Sequence, residues 1–425
     1  MKFYEMTPQR RRSQMEAEGK LSPRDAKLLA RSGGLDPAIA DGLIENQIGQ
    51  FALPLGVARG LVVNGESRDV PMVTEESSVV AAASNGARIA ALNGGVVAHA
   101  PAEHCVRAEV VFANVPDRDA ALAVLLSRRR DMFAVARRAK PSIVARGGGL
   151  RDVSVEAVCD EFLKITLDVD VQAAMGANIV NTIAEAVATA AGDWIGVRAL
   201  TAILTNAVCK AQAVTAEIVL DPLTVTCRGV AGEEVAEGIA RLSRLAEVDV
   251  ERAVTHNKGI MNGISAAVLA TGNDTRAVEA GAHAFAARTG HYRPLAVWNM
   301  KENRLVGRIS VPLQVGVVGG ATTSLPAAGV AQRIGHYLPD DGSAVSVAAY
   351  QETLAALGLV QNLAALRALA GPGIQAGHMA LQASNLAIAA GARGAEIAAV
   401  AAALQSCSKD LETAKSLLER LRSNL

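Results

Sequence analysis

The chain of 425 residues is poor in aromatic residues and has no net charge. It contains 6 Phe, 2 Trp and 4 Tyr, and its 42 basic side chains balance 42 acidic ones. Half of its residues are hydrophobic, so the chain can bury a large core, which Ala, Val, Leu and Ile must fill. Proteins that bind nucleic acids usually carry a basic excess, so the neutral balance argues against such a partner.

Cysteines, signal sequences and uninterrupted apolar runs are also scarce. The five cysteines form no C-x-x-C pair, which favours a reducing compartment. Residues 1–12 are polar and basic, unlike a secretory signal. Glycine and proline interrupt the uncharged stretches 309–332 and 368–392, which argues against a membrane-spanning helix. We therefore expect a cytoplasmic protein with no membrane partner.

The common catalytic and nucleotide-binding signatures are absent. The sequence has no Walker A motif, no G-x-G-x-x-G after a strand, no G-x-S-x-G elbow and no H-E-x-x-H. Its seven histidines form no ligand-like group with cysteines or carboxylates, so no metal site is predicted. A classical Rossmann fold is not predicted either.

Residues 103–215 differ in pattern from the rest of the chain. Strand-like segments at 106–115, 153–158, 163–171 and 200–205 alternate with helical ones at 118–139 and 177–191. The resulting β-α-β-β-α-β order is typical of a ferredoxin-like unit. The flanking regions mix helix and strand, and the part after a hinge predicted at 371–373 is largely helical, including 404–421. These patterns predict an α+β fold.

Four polar clusters lie in small-residue surroundings, at 74–78, 255–263, 271–274 and 373–379. On pattern alone, Glu76 fits a helix N-terminus and Asp274 fits a helix N-cap. His378 fits either a structural histidine or a proton shuttle on a mobile segment. The polar and cationic residues of the second cluster are unusual for a plain loop.

These clusters occur in a characteristic order with N-Q-I-G at 46–49, M-G-A-N at 175–178 and V-G-V-V-G-G-A-T at 315–322. The pattern resembles that of the 3-hydroxy-3-methylglutaryl-CoA (HMG-CoA) reductase family from about residue 20 to 395. In length the chain is similar to the soluble bacterial class II enzymes. The resemblance implies reduction of HMG-CoA to mevalonate and CoA by two successive hydride transfers from NAD(H) or NADP(H), or the reverse reaction.

The resemblance also implies a domain organisation. A large substrate domain would comprise residues 1–102 and 216–372. A small ferredoxin-like, non-Rossmann cofactor domain, residues 103–215, would be inserted in it, and residues 373–425 would form a helical C-terminal flap. Because the family's active sites lie at dimer interfaces, a homodimer or a higher oligomer is implied.

The family's catalytic positions fall on Glu76, Lys258, Asp274 and His378. Lys258 would stabilise the oxyanion that hydride transfer creates, and Asp274 would orient Lys258 and keep it charged. His378 would protonate the departing CoA thiolate, and Glu76 would act as the acid of the aldehyde step. A helix start and a neighbouring lysine both lower the pKa of a glutamate, so burial or repulsion from Asp274 must raise the pKa of Glu76.

The family's binding positions also have counterparts. Those for the substrate are Ser78, Arg252, Asn262 and Gln361. Arg252 suits the free carboxylate of the acyl group. Those for the cofactor are Lys140, Met175, Gly176, Asn178 and Asn206. Asn178 would open a helix whose N–H groups face the pyrophosphate.

Two departures from the family pattern leave questions open. Ala173 replaces the acid of the D-A-M-G-A-N motif, and the nearest acids are Asp168 and Asp170. Lys140, beside two arginines, stands where NADH-preferring relatives carry an acid. Its charge would admit a 2′-phosphate, and the choice between NADH and NADPH stays open. The alternative function is a non-catalytic CoA- or nucleotide-binding protein of the same fold, which the four intact catalytic positions disfavour.

Overall fold

The computed structural model describes residues 2–30, 35–208, 212–227, 229–320, 324–337, 347–371 and 383–423. The strands are β1 (Leu55–Val63), β2 (Glu66–Val73), β3 (Val97–His99), β4 (Cys105–Ala113), β5 (Gly149–Ala157), β6 (Phe162–Asp170), β7 (Thr201–Leu204), β8 (Ala213–Leu220), β9 (Ala296–Lys301) and β10 (Arg304–Pro312).

The α-helices with described ends are α1 (Pro8–Ala17), α2 (Pro23–Ala30), α3 (Pro37–Asp41), α4 (Val79–Leu92), α5 (Arg118–Ser127), α6 (Arg129–Ala139), α7 (Pro141–Ala145), α8 (Ala177–Ile195), α9 (Gly232–Val248), α10 (Val250–Ala270), α11 (Thr275–Ala287), α12 (Pro326–Ile334), α13 (Val347–Ala370), α14 (Ala395–Ala403) and α15 (Leu411–Ser423). Helix and strand are mixed along the whole chain, so the predicted α+β class is confirmed.

The described strands form three antiparallel sheets. β1 and β2 make a hairpin, whose turn is the Asn64-Gly65 pair; both residues have positive φ, at 52° and 84°. A second sheet has the order β3-β8-β10-β9, and a third has the order β5-β6-β4-β7.

The third sheet contains the predicted β-α-β-β-α-β segment. In chain order its strands are first β4, then β5, β6 and β7, so the first and third strands lie at its centre. The helix predicted at 118–139 is wrong in detail, because Arg128 separates α5 from α6 with φ −90° and ψ 7°. Helices α5 to α8 and this sheet share a hydrophobic core of their own, formed by residues between 106 and 204.

Close helix packing explains how a core with few aromatic rings is filled. Helix α13 runs through the larger core, and 14 of its residues are buried. At Gly86 of α4, a Cβ would lie 2.3 Å from the carbonyl oxygen of Val360, and at Gly358 it would lie 2.7 Å from Ile264 of α10. Only glycine permits backbones to approach this closely.

Helix α13 is also long and apolar enough to cross a membrane, with a mean hydropathy of 1.4 in its most apolar window. However, 67% of that window is buried within the protein. Most of the apolar surface of this helix is therefore covered by protein rather than by lipid.

The C-terminal residues 383–423 have a small core of their own. The helix predicted at 404–421 is wrong in its first part. A 3₁₀ turn ends at Ser406, and α15 begins at Leu411, where the Asp410 carboxylate accepts the Thr413 N–H at 2.7 Å. Of the hinge predicted at 371–373, residues 372 and 373 lie outside the described ranges.

Candidate active site

Glu76 and Lys258 meet although they are 182 residues apart. The Lys258 Nζ lies 3.1 Å from Oε2 and 3.5 Å from Oε1 of Glu76. Glu76 comes from the loop between β2 and α4, and Lys258 from the middle of α10. Their side chains are 42% and 60% exposed, so the pair faces solvent and is open to a ligand.

The loop that carries Glu76 is not part of the helix that follows it. Helix α4 begins at Val79 and has no acidic residue in its first turn. The prediction that Glu76 lies at a helix N-terminus is therefore wrong. Ser78, the N-cap residue, has φ 79° and makes no side-chain capping bond. A serine with positive φ is strained, and such strain is concentrated at functional sites.

The polar cluster 255–263 lies inside α10 and is not part of a loop. It spans about two and a half helical turns, so that His256 and Asn257 are buried whereas Lys258 is exposed. The Asn257 amide anchors this helix. Its Nδ2 donates to the Arg293 carbonyl at 2.9 Å, and its Oδ1 accepts the Leu295 N–H at 2.8 Å. The backbone that carries Lys258 is thereby tied to the segment before β9.

Asp274 is the N-cap of α11, as its local sequence suggests. Its Oδ1 accepts the N–H groups of Arg276 at 2.9 Å and Ala277 at 3.1 Å. From Lys258 to Ala270, the end of α10, the axis rises by about 18 Å at about 1.5 Å per residue. Helical side chains also lean toward the N-terminus, away from Asp274. Within one chain, the structure does not bring Lys258 and Asp274 together.

Arg252 and His256 lie one turn apart on α10. The buried Nε of Arg252 makes no hydrogen bond. His256 is 1% exposed. Burial lowers the pKa of His256 to about 4, and the positive charge of Arg252 contributes to the shift. Near neutral pH the imidazole is therefore uncharged.

Gln361 and Asn262 are brought to the same part of α10. Gln361 is 4% exposed and its Oε1 has no partner. It packs against Gly263, where a Cβ would lie 3.1 Å from Cβ of Gln361 and 3.2 Å from its Oε1. Asn262 precedes Gly263 and is half-buried. A buried acceptor without a partner is costly, which makes the Gln361 amide a candidate ligand group.

The predicted cofactor residues Met175, Gly176 and Asn178 lie at the start of α8. The N-cap is Gly176, with φ 93°, and Asn178 is the second residue of the helix. Asn178 therefore does not cap the helix. At Gly176 a Cβ would lie 2.4 Å from a methyl group of Val171, so this turn requires glycine. The N–H groups of the first turn remain available for an anion.

Asn206 and Lys140 lie elsewhere around the third sheet. Asn206, just after β7, has φ 54° and a buried Oδ1 without a partner. Lys140 is half-buried between α6 and α7. In the part of the chain that the structure describes, neither Lys140 nor its neighbours Arg137 and Arg138 form an ion pair.

The acids nearest to Ala173 are engaged elsewhere. Asp168 pairs with Arg107 through two bonds of 2.7 Å. Asp170 is 2% exposed and accepts bonds from Arg151 at 2.8 Å and Gln172 at 2.7 Å. Neither carboxylate is therefore available to replace the acid that Ala173 lacks.

His378 lies outside the described residues. The sequence analysis missed His256 and Asn273, both buried polar residues beside the predicted site. Their positions within the second and third polar clusters were the only signal, because burial depends on elements far away in the chain.

Comparison with known proteins gives consistent results. The family model described as hydroxymethylglutaryl-coenzyme A reductase matches residues 7–383. The 3-hydroxy-3-methylglutaryl-coenzyme A reductase of Archaeoglobus fulgidus is 40% identical over 427 residues, covering 99% of this chain and 94% of that protein. The probable reductase of Borreliella burgdorferi is 35% identical over 345 residues, covering 81% of this chain and 77% of that protein.

Solved structures agree. A 3-hydroxy-3-methylglutaryl-coenzyme A reductase from Streptococcus pneumoniae superposes with a TM-score of 0.82 at 38% identity, covering 99% of both chains. The class II reductase of that organism bound to NADPH in open conformations superposes with a TM-score of 0.80 at 38% identity, covering 98% of this chain and 100% of that chain.

Proposed function

The chain belongs to the hydroxymethylglutaryl-coenzyme A reductase family, and we propose that its Glu76–Lys258 pair lies at the reacting centre. It is a class II enzyme, an NAD(P)-dependent oxidoreductase that interconverts HMG-CoA with mevalonate and CoA. This activity excludes the alternative of a non-catalytic CoA- or nucleotide-binding protein. The ion pair carries the proposal, because it brings a cation and a carboxyl group to one exposed place.

Lys258 provides the positive charge. The cofactor, when bound, supplies hydride to the thioester carbonyl and then to the aldehyde that follows. Each addition places negative charge on the carbonyl oxygen, which the Lys258 ammonium stabilises. Glu76 delivers the proton that turns the second oxyanion into the hydroxyl of mevalonate. Collapse of the first oxyanion to the aldehyde breaks the carbon–sulfur bond, and His378 would protonate the CoA thiolate that leaves.

The substrate is held by groups that lack partners in the structure of the chain alone. Arg252, with its buried Nε unpaired, would bind the free carboxylate of the acyl group. The buried Oε1 of Gln361 would accept the hydroxyl of that group. Asn262, on α10, and Ser78, at the end of the loop between β2 and α4, would complete the contacts with the substrate.

The second copy of a homodimer would supply the Asp274 that one chain does not bring to its own Lys258. Lys258 and Asp274 are separated within one chain, so a site that contains both takes them from different chains. The exposed segment that includes Ile48 and Phe51, which are 102% and 91% exposed, gives such a dimer an apolar contact.

Subunit mixing tests this arrangement. Lys258→Ala and Asp274→Asn should each be inactive, and Asn keeps the helix cap. A mixture of equal amounts of the two variants should regain about a quarter of the wild-type activity, because about half of its dimers are mixed and each mixed dimer has one intact site out of two. A mixture that stays inactive would show that one chain supplies both residues.

The cofactor is proposed to bind between the start of α8 and Asn206. The residues fit it: the unpaired Asn206 Oδ1 offers an acceptor, and the first-turn N–H groups of α8 offer donors for phosphate. The cationic group at Arg137, Arg138 and Lys140 would accept a 2′-phosphate, which is consistent with a class II relative having been solved bound to NADPH. Substituting all three by Ala should lower kcat/KM for NADPH more than for NADH. Equal losses would refute this role.

The domain organisation follows from the same assignment. Residues 103–215 would be the cofactor domain, inserted between the two parts of the substrate domain, 1–102 and 216–372, and residues 373–425 would be the flap. The enzyme would work in the cytoplasm. Its physiological direction, toward mevalonate or from it, is decided by metabolite supply, because a catalyst accelerates both directions.

The direct test follows absorbance of the reduced cofactor with HMG-CoA present. The wild type should oxidise NADPH or NADH, whereas Lys258→Ala should lose the activity and keep its fold and CoA binding. Lys301→Ala removes an exposed lysine of β9 and should leave the rate unchanged. No oxidation of either cofactor by the wild type would refute the proposed centre.

A further inference from the structure

The segment between α10 and α11 contains two buried, hydrogen-bonded polar residues, Thr271 and Asn273, and leads to the half-buried Asp274. Thr271 and Asn273 are 1% and 8% exposed. The Thr271 Oγ1 lies 2.6 Å from the hydroxyl of Tyr350 on α13 and accepts the Asn273 Nδ2 at 3.0 Å. Tyr350 also donates to the Ala267 carbonyl at 3.3 Å. This network holds the side chain of Asn273 in one orientation.

Asn273 uses both ends of its amide on one residue, Gly316. Its Oδ1 accepts the Gly316 N–H at 2.7 Å, and its Nδ2 donates to the Gly316 carbonyl at 2.9 Å. Two such bonds are what neighbouring strands exchange in an antiparallel ladder. The amide thus attaches the Gly316 segment to the residue immediately before Asp274.

Gly316 in turn lies directly against the loop that opens α8. A Cβ at Gly316 would fall 2.2 Å from the Met175 nitrogen and 2.7 Å from the Ala174 carbonyl carbon. The next residue, Val317, donates its N–H to the Ala173 carbonyl at 2.9 Å. The backbone of 173–175 is therefore held against Gly316 with no space for a side chain.

We propose that Asn273 and Gly316 are positioning residues for the hydride transfer. They link Asp274 to the cofactor loop through one amide and one backbone contact, and so set the distance between the acid and the bound cofactor. Tyr350 and Thr271 hold Asn273 in place. This inference rests on the proposed roles of Asp274 and of the Met175 loop.

Substitution of Asn273 or Gly316 should therefore lower kcat by more than a loss of stability alone explains. A misplacement of about 1 Å in an active site can reduce the rate by about 100-fold. Asn273→Asp keeps the side-chain shape and the acceptor for the Gly316 N–H, but it turns the second oxygen toward the Gly316 carbonyl. Gly316→Ala pushes the Met175 loop directly, because its methyl group has no space.

The experiment measures kcat, both KM values and the Kd of NAD(P)H, the last by fluorescence quenching without HMG-CoA. Asn273→Asp and Gly316→Ala should lower kcat at least tenfold and weaken NAD(P)H binding at least fivefold, while KM for HMG-CoA changes less than twofold. If either variant fails to fold, Thr271→Val removes the hydroxyl at nearly constant shape and should give a smaller effect of the same pattern. Thr271→Ser keeps the hydroxyl and should therefore restore the wild-type kcat and Kd of NAD(P)H.

Asn64→Asp is the matched control. The Asn64 amide makes the same pair of bonds to Ala98, at 2.8 and 2.9 Å, but it lies in the β1–β2 turn. Its carboxylate would also face Glu352, so this variant loses at least comparable stability. It should keep wild-type kcat and cofactor Kd.

Wild-type kinetics and cofactor binding in folded Asn273→Asp and Gly316→Ala would overturn the inference, as would equal losses in Asn64→Asp. The proposed function fails separately, when the wild type itself does not oxidise NAD(P)H with HMG-CoA. In that case the Kd values of the same variants still decide the positioning role.

Discussion

His256 should make the protein lose stability as the pH falls. Its pKa is about 4 in the folded protein and about 6.5 in an unfolded chain. Between these values the unfolded state binds the proton more readily, so stability is complete above about pH 6.5 and falls until about pH 4. Each pH unit in this window costs about 1.4 kcal/mol, so the full loss is about 3 kcal/mol and the loss at pH 5 is about 2 kcal/mol.

Urea unfolding at pH 7.5 and pH 5.0 measures this effect. His256→Gln removes the titrating group, so the variant should lose about 2 kcal/mol less than the wild type between the two values. All other groups cancel in this difference. His291→Gln, which changes an exposed histidine, should behave as the wild type does.

A further variant separates the causes of the shift. Burial contributes most to the lowered pKa, and the charge of Arg252 contributes less. Arg252→Met should therefore reduce the acid-dependent loss only in part. If the wild type and His256→Gln lose the same free energy of unfolding, the imidazole is not buried in its neutral form and the reasoning is refuted.

Four other predictions concern packing and substrate binding. Gly86→Ala should destabilise the protein by about 1–3 kcal/mol, because its methyl group would meet the Val360 carbonyl. Gly259→Ala, in the interior of α10 with nothing within 4 Å, should stabilise it by about 0.5–1 kcal/mol. A urea midpoint that does not fall for Gly86→Ala, or does not rise for Gly259→Ala, would contradict the corresponding prediction. Trp298→Phe should cost about 1–3 kcal/mol, because it leaves the buried Asn362 Oδ1 without the indole N–H at 2.8 Å, and an unchanged midpoint would count against that bond. Arg252→Lys should raise KM for HMG-CoA at least tenfold with a smaller change in kcat, and an unchanged KM in steady-state assays would exclude Arg252 from the carboxylate site.

Local patterns predicted the elements that depend on neighbouring residues. Alternation and helical spacing identified the strand and helix order between 105 and 204, and the cap at Asp274 follows from its own short sequence. The break at Arg128 was missed because helical spacing continues across it. It separates two helices that both contact β5.

Relations in space were harder to predict than residue types. The family pattern places Lys258 and Asp274 in one site, but sequence spacing does not show that a straight helix holds them apart. The bonds between Asn273 and Gly316 join residues 43 positions apart, and they exist only because two distant segments pack together. Burial of His256 depends in the same way on the elements around α10.

Helix α13 has a consequence for the way the protein is made. On leaving the ribosome, this apolar segment has the composition of a membrane span, and while unpacked it is open to aggregation or mistargeting. Its packing partners α4, α9 and α10 all precede it in the chain. Because synthesis proceeds from the N-terminus, the surfaces that receive α13 have already emerged when it does. The order of elements thus shortens the time for which this long apolar helix is exposed.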